Sequence, residues 1–232
     1  MDFQADDIDW QSPAGRRLDE LARNLPAEPK LTLTVFGSAP LQLFIDPNFL
    51  SADVDLFAEE EATDLLINFV ERQGWSKENA TQHYIQVCDP FAFRSTIDWQ
   101  SRAITVERHG HLFLIVHPWD VLVSKLQRLE EKDLAAFRLV IEKTGRPTEM
   151  EWVSHLQKAV DLYRPKFEEE STRGDMLMNT QILWRELWGA EIDVRGRIIR
   201  PALLRATQFY QEGDPSLKAR LAKLRLPDVP RE

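Results

Sequence analysis

Two aspartates, Asp53 and Asp55, are separated by a single residue in the run Ser51-Ala-Asp-Val-Asp-Leu-Phe57. The alternation of polar and apolar residues in this run is typical of a β-strand, in which both carboxylates project from one face about 7 Å apart. Two carboxylates at that distance repel each other, and burial increases the repulsion. A strand therefore seldom carries such a pair on one face unless a cation or water lies between them. Hard oxygen ligands that leave coordination sites free for phosphate suit Mg²⁺.

Composition narrows the cellular setting and the partners that we expect. The chain has 232 residues, a formal net charge of −9 and a single cysteine, Cys88. The length allows one large or two small domains, and the negative charge argues against a protein that coats nucleic acid non-specifically. One cysteine excludes an internal disulfide. No apolar run approaches the ~18 residues of a membrane span, and the acidic start lacks the features of a signal peptide. We therefore expect a cytoplasmic protein with no membrane partner.

Hydrophobic periodicity predicts an α+β fold with a change of character after residue 145. Strands are predicted over 31–36, 54–58, 83–87, 92–99, 103–108 and 111–116, with a hairpin turn at His109-Gly110. Helices are predicted over 16–25, 59–73 and 118–143, and segment 39–49 holds one short helix or only a loop. Beyond residue 148 only helices are predicted, over 151–163, 174–187, 200–211 and 215–224. We expect an α/β domain over 1–145 and a helical C-terminal domain over 146–232.

Further polar residues lie where they can complete a site around the acid pair. Gly37-Ser38 ends the first predicted strand, and Asp98 alternates with Ile97 and Trp99 in the predicted strand 92–99. Asp98 is therefore expected on the same side of the sheet as Asp53 and Asp55. Three such carboxylates would hold two divalent ions that clamp a nucleoside triphosphate and activate an attacking hydroxyl. A glycine beside them lets the backbone approach phosphate, and a serine can donate to a phosphate oxygen.

Two motifs in this chain resemble a known superfamily. Leu33-Thr-Val-Phe-Gly-Ser38 with Ala52-Asp-Val-Asp-Leu56 resembles the Gly-Ser/Asp-x-Asp signature of the nucleotidyltransferase superfamily related to DNA polymerase beta. The proline-led segment 116–133 resembles a helix of the abortive-infection type nucleotidyltransferase toxins and their uncharacterised bacterial relatives. Together the motifs cover about residues 31–145. The resemblance implies a mixed β-sheet flanked by helices in that part of the chain.

The resemblance also implies roles for individual residues. Three acids would bind metal and take part in catalysis: Asp53, Asp55 and Asp98. Asp98 would help to deprotonate the acceptor hydroxyl. Nucleotide binding would fall to the Gly-Ser turn and to the proline-led helix, with residues Gly37, Ser38, Lys125, Arg128, Lys132 and Asp133. Within the helix, the lysine at 125 would reach the phosphates, and the acid at 133 would orient its neighbours. On an ideal helix Lys125, Arg128 and Lys132 share one face.

The implied activity is transfer of a nucleoside monophosphate from a nucleoside triphosphate, such as ATP, to an acceptor hydroxyl with release of pyrophosphate. Two Mg²⁺ ions would stabilise the attacking and leaving oxygens. The acceptor is expected to be an RNA end such as that of tRNA, a protein side chain or a small molecule. A cognate partner protein, as in a toxin–antitoxin pair, is a further expectation from the resemblance.

Two alternatives to transfer stay open, and departures from the family pattern support the first of them. Pro40 and Pro47 interrupt the spacer between the motifs, no arginine lies between Ser38 and Asp53, and Leu-Ala-Ala-Phe rather than a second acid follows Asp133. These features favour a catalytically degenerate binding or antitoxin-type module. A metal-dependent phosphohydrolase is the third hypothesis, because the same acids can activate water.

Overall fold

A computed structural model describes residues 3–80, 83–159 and 176–209 of the chain. By their contacts these residues form two compact units. The sheet unit comprises residues 3–80, 83–93, 98–122 and 136–145, and the helical unit comprises 94–97, 123–135, 146–159 and 176–209. The boundary between an α/β domain over 1–145 and a helical domain over 146–232 stays a prediction.

The sheet unit is built on a five-stranded mixed sheet with the order β3-β2-β1-β5-β4. The strands are β1 (Thr32–Phe36), β2 (Asp53–Ala58), β3 (Tyr84–Val87), β4 (Ile104–Arg108) and β5 (His111–Ile115). β1 runs antiparallel to β2 and parallel to β5, while β3 runs parallel to β2. The predicted hairpin at His109-Gly110 joins β4 to β5, and the φ angles of +49° and +87° there are those of a tight two-residue turn. The predicted α+β class is confirmed.

Helices cover the sheet where its side chains are apolar. In this part of the chain they are α1 (Pro13–Asn24), α2 (Ala39–Phe44) and α3 (Glu60–Arg72). Segment 39–49 contains a helix because Pro40 falls in its first turn, where a missing N–H costs nothing. The central strands are fully buried at Leu33, Val35, Leu56, Phe113 and Ile115. This core fixes the register of β1 and β2, since a slip by one residue would bring their apolar side chains to the polar face.

The predicted strand over 92–99 is wrong. The structure has a short 3-10 turn at Pro90–Ala92 and another at Trp99–Arg102, with irregular backbone between them. Asp89 accepts a hydrogen bond from the backbone N–H of Phe91, and its carbonyl accepts from Ala92. Asp98 begins the second turn, and its carbonyl accepts from the backbone of Ser101 at 3.0 Å. Local bonds of this kind compete with strand pairing, so Asp98 does not lie on a strand.

The predicted long helix over 118–143 is also wrong, because it is two helices. α4 spans Pro118–Lys125 and α5 spans Glu131–Thr144. Leu129 between them has a φ of +47°, which an α-helix does not allow. The Asp133 carboxylate accepts a hydrogen bond from the backbone N–H of Glu130 at 3.0 Å, which stabilises the break. The common face predicted for Lys125, Arg128 and Lys132 assumed an unbroken helix and is therefore wrong.

The described C-terminal part of the chain is helical, as predicted. It contains α6 (Glu149–Gln157), α7 (Met176–Trp188), a π-helical turn (Arg195–Ile199) and α8 (Arg200–Phe209). Trp152 and Trp184 are almost completely buried in this unit. The predicted helix 215–224 lies outside the described residues. Among the residues described, no helix is long and apolar enough to span a membrane.

Candidate functional site

The acid pair lies on β2 as the alternation predicted. Asp53, Asp55 and Phe57 are half-buried on one face, while Val54 and Leu56 are buried on the other. The apolar side chains pack β2 against the core, so the two carboxylates lie on the accessible face. Oxygen ligands in this arrangement are of the kind that Mg²⁺ prefers.

Two hydroxyls contact the Asp53 carboxylate. Ser51 Oγ lies 3.1 Å from Oδ1 of Asp53 and 3.0 Å from its carbonyl oxygen. Tyr84 donates its hydroxyl to Oδ2 at 3.3 Å, from the position of β3 that pairs with Asp53. Burial raises the pKa of Tyr84, and the charge of Asp53 raises it further. Tyr84 is therefore a neutral donor at physiological pH.

Gly37 and Asp55 are in close contact at the ends of β1 and β2. Gly37 follows Phe36, which pairs with Asp55, and it has a φ of +65°. A Cβ at Gly37 would lie 1.9 Å from Oδ2 of Asp55, closer than any two such atoms can approach. Only glycine fits both the backbone conformation and this space. The Gly-Ser turn predicted from sequence is thereby brought against the predicted metal-binding acid, and Ser38 follows as the residue preceding α2.

The strand beside the acid pair offers neutral side chains. Gln86 pairs with Asp55 in register, and Cys88 follows with its Sγ 4.0 Å from Oδ1 of Asp55. Burial raises the pKa of the Cys88 thiol to about 12, with Asp55 contributing. Cys88 therefore stays a thiol at neutral pH. Sequence reasoning missed the contacts of Tyr84 and Cys88, because nothing in the local pattern tells which strand pairs with β2.

Asp98 is part of a different charge cluster in the same unit. Arg102 lies 2.9 Å from Asp98 and binds Asp120 with two further bonds of 2.9 Å. Asp120 is fully buried at the start of α4. Burial alone would lower the pKa of Arg102, but the two carboxylates raise it above the ordinary value. Within the described ranges, no three His, Cys, Asp or Glu side chains converge as a metal site.

Aromatic rings connect Phe93 and Trp99 to the acid-bearing end of the sheet. Phe36 contacts Phe57 with ring centroids 5.7 Å apart and Phe93 at 5.3 Å. Phe93 in turn contacts Trp99 edge-on at 5.3 Å. Contacts of this kind add to the apolar burial that holds Phe93 against Phe36 and Trp99.

The residues predicted from the proline-led helix form a cluster within the helical unit. Asp133 is fully buried and accepts from Lys125 at 3.2 Å and from Arg128 at 3.1 Å through each oxygen. Burial lowers the pKa of Lys125 below its ordinary value, although the charge of Asp133 acts to raise it. Lys132 is 64% exposed and contacts Glu130 at 3.3 Å. The structure thus brings Lys125, Arg128 and Asp133 together, and their role towards a nucleotide stays a prediction.

Replacing Asp133 with asparagine is expected to lower the free energy of unfolding by about 3 kcal/mol at pH 7. The change removes the carboxylate that pairs with the Lys125 ammonium, whose side chain is only 9% exposed. Burial alone would raise the pKa of Asp133, but Arg128 and Lys125 lower it below its ordinary value. The stability that its ionisation supplies is therefore present above the unfolded pKa of about 4 and is lost as the pH falls through the folded value.

Urea unfolding of wild type and Asp133→Asn between pH 7 and pH 3 checks this expectation. The difference in unfolding free energy should narrow as the pH falls below about 4. Lys132→Met is the control, because an exposed pair contributes less than about 1 kcal/mol. A variant that is as stable as wild type at pH 7 would contradict the assignment of Asp133 as the centre of the cluster.

A protein family described as nucleotidyltransferase of unknown function (DUF6036) matches residues 16–173, which is more than half of the chain. The match includes the Gly-Ser turn, the acid pair and the Asp133 cluster. No curated protein matches the chain. No solved structure matches it either.

Proposed function

The chain belongs to this family of nucleotidyltransferases, and we propose that Asp53 and Asp55 bind the divalent metal, Mg²⁺, that its reaction uses. The enzyme would move a nucleoside monophosphate from a nucleoside triphosphate to an acceptor hydroxyl. The observation that carries the proposal is the contact between Gly37 and Asp55. A Cβ built on Gly37 would lie 1.9 Å from Oδ2 of Asp55. This contact joins the turn suited to phosphate and the carboxylates suited to metal within one site.

The residues fit an oxygen-binding divalent ion. Asp53 and Asp55 offer carboxylate oxygens from one face of β2, and the Asp55 carboxylate occupies the space that a Cβ would fill at residue 37. When bound, Mg²⁺ would supply charge that offsets the negative phosphates in the transition state. Asp53 and Asp55 would hold it, which also relieves the repulsion between their own charges.

The protein's own groups would position the triphosphate. The backbone at Gly37 can approach phosphate closely, and the Ser38 hydroxyl can donate to a phosphate oxygen. The acceptor oxygen would attack the α-phosphorus and form a new P–O bond. The bond from the α-phosphorus to the bridging oxygen would break, pyrophosphate would leave, and the acceptor's proton would pass to a carboxylate of the site. The role of Asp98 as a third acid, which would help to deprotonate the acceptor hydroxyl, stays a prediction.

One observation favours a non-catalytic module as the second candidate. Tyr84 and Gln86 on β3, and Cys88 just after it, bring neutral side chains rather than a further carboxylate beside the acid pair. A protein that binds a nucleotide or a partner protein without transferring anything needs no third acid. Binding without transfer would therefore support this candidate.

The transfer assay separates the two candidates. The protein is incubated with each of the four α-labelled nucleoside triphosphates in Mg²⁺ or in EDTA, with total tRNA, cell protein or small-molecule extracts as acceptors. We expect label on one acceptor class and pyrophosphate release only with the metal. Calorimetry on the same samples measures triphosphate binding. Metal-dependent triphosphate binding without transfer to any acceptor supports a nucleotide-binding module. No triphosphate binding at all contradicts the transferase and leaves only a module that binds a partner protein.

A further inference from the structure

Each oxygen of the Asp53 carboxylate lies within hydrogen-bond distance of a hydroxyl. The Ser51 hydroxyl lies 3.1 Å from Oδ1 and is shared with the Asp53 carbonyl oxygen at 3.0 Å, and the Tyr84 hydroxyl lies 3.3 Å from Oδ2. The hydroxyls come from different parts of the sheet unit, one from the residues just before β2 and one from the paired position on β3. Together they limit rotation of the carboxylate about its Cβ–Cγ bond.

The arrangement leaves the carboxylate able to bind a cation. An ionised carboxylate has about four acceptor directions, two on each oxygen. The two hydroxyls use one direction on each oxygen, so one remains on each for a metal ion. Tyr84 and Ser51 are neutral donors, so they orient Asp53 without neutralising the charge that attracts the ion.

The strand pairing explains why Tyr84 reaches this oxygen. β3 runs parallel to β2, and Tyr84 is opposite Asp53 with its side chain on the same face. Burial at Ile85 and Val54 fixes the register of the two strands. The Tyr84 hydroxyl is therefore held by the fold rather than by a chance surface rotamer.

We infer that Tyr84 and Ser51 are positioning residues that hold the Asp53 carboxylate in the orientation in which it binds a divalent cation. This inference rests on the proposed function, because it assigns these residues to the same metal site. Groups that orient a metal ligand typically contribute 10- to 100-fold to metal affinity or activity. Removing either hydroxyl therefore weakens metal binding while the chain stays folded.

The test measures Mn²⁺ binding by the free protein, using the electron paramagnetic resonance signal of unbound Mn²⁺. Tyr84→Phe and Ser51→Ala are each expected to raise the dissociation constant about tenfold. Ser51→Thr keeps a hydroxyl and should bind as wild type does. Ser101→Ala is the matched control, because the Ser101 hydroxyl donates to the carbonyl of Asp98 and not to the acid pair.

A thermal unfolding midpoint without metal separates positioning from a general loss of structure, since it should stay unchanged in Tyr84→Phe. Wild-type Mn²⁺ affinity in Tyr84→Phe and Ser51→Ala, together with lost affinity in Asp53→Asn, overturns the positioning role and leaves the proposed metal site intact. Equal affinity in wild type and Asp53→Asn overturns the metal site itself, and the positioning role with it.

Discussion

Replacing Asp53 and Asp55 together with asparagine is expected to reduce nucleotidyl transfer by at least about 1000-fold. Asparagine keeps the size and shape of aspartate but removes the charge that attracts a divalent ion. A bound metal contributes several kcal/mol of charge stabilisation in the transition state, and about 4 kcal/mol corresponds to roughly 1000-fold in rate. The measurement is the transfer assay with labelled triphosphate and its acceptor, at saturating Mg²⁺.

The same change should not unfold the protein. The two side chains are half-buried on one face of β2, so removing their charges also removes a repulsion. The matched control replaces two exposed acids of α3, Glu61→Gln with Asp64→Asn, and should transfer at the wild-type rate. Wild-type transfer by the Asp53 and Asp55 double variant would exclude the pair from catalysis.

Replacing Gly37 with alanine is expected to have the next largest effect, on both stability and activity. The new Cβ would lie 1.9 Å from Oδ2 of Asp55, so the carboxylate or the β1 end must move. The left-handed backbone at a φ of +65° adds about 1–2 kcal/mol for any residue with a Cβ. We expect a loss of about 2 kcal/mol or more in unfolding free energy. Transfer should fall by at least about 100-fold, because a misplaced catalytic group costs that much.

Gly110→Ala separates the backbone cost from the contact with Asp55. Gly110 has a φ of +87°, but a Cβ there meets nothing within 4 Å. This variant should lose only the backbone contribution and keep full transfer activity. Urea unfolding gives the stability of each variant, and the assay gives the activity. If Gly37→Ala and Gly110→Ala are equally stable and equally active, the contact between residue 37 and Asp55 contributes to neither stability nor transfer.

Features that depend on local pattern were predictable from the sequence. The alternation in β2 gave the face of Asp53 and Asp55, and His109-Gly110 gave the β4–β5 hairpin with its positive φ angles. The Gly37-Ser38 turn was predicted for its approach to phosphate. Its contact with Asp55 depends on the antiparallel pairing of β1 with β2, which the local pattern does not contain.

Two elements were mispredicted because side chains bind the backbone in competition with regular structure. The segment over 92–99 has the composition of a strand, yet capping by Asp89 and the turn begun by Asp98 give it irregular backbone between two 3-10 turns. The helix over 118–143 contains neither glycine nor proline in its interior, but it breaks at Leu129. The break is stabilised by the buried Asp133 carboxylate, which accepts from two cations and from the Glu130 N–H. Tertiary packing decides which side chains are buried, so the local sequence does not predict the break.

The most direct test of the metal site is a crystal structure with Mn²⁺ and a non-hydrolysable nucleoside triphosphate. The anomalous signal of Mn²⁺ identifies the ion independently of the protein. We expect a Mn²⁺ peak about 2.1 Å from carboxylate oxygens of Asp53 and Asp55, and the phosphates beside Gly37 and Ser38. A triphosphate bound elsewhere, with no metal at either carboxylate, would contradict the proposal that these two aspartates form the metal site.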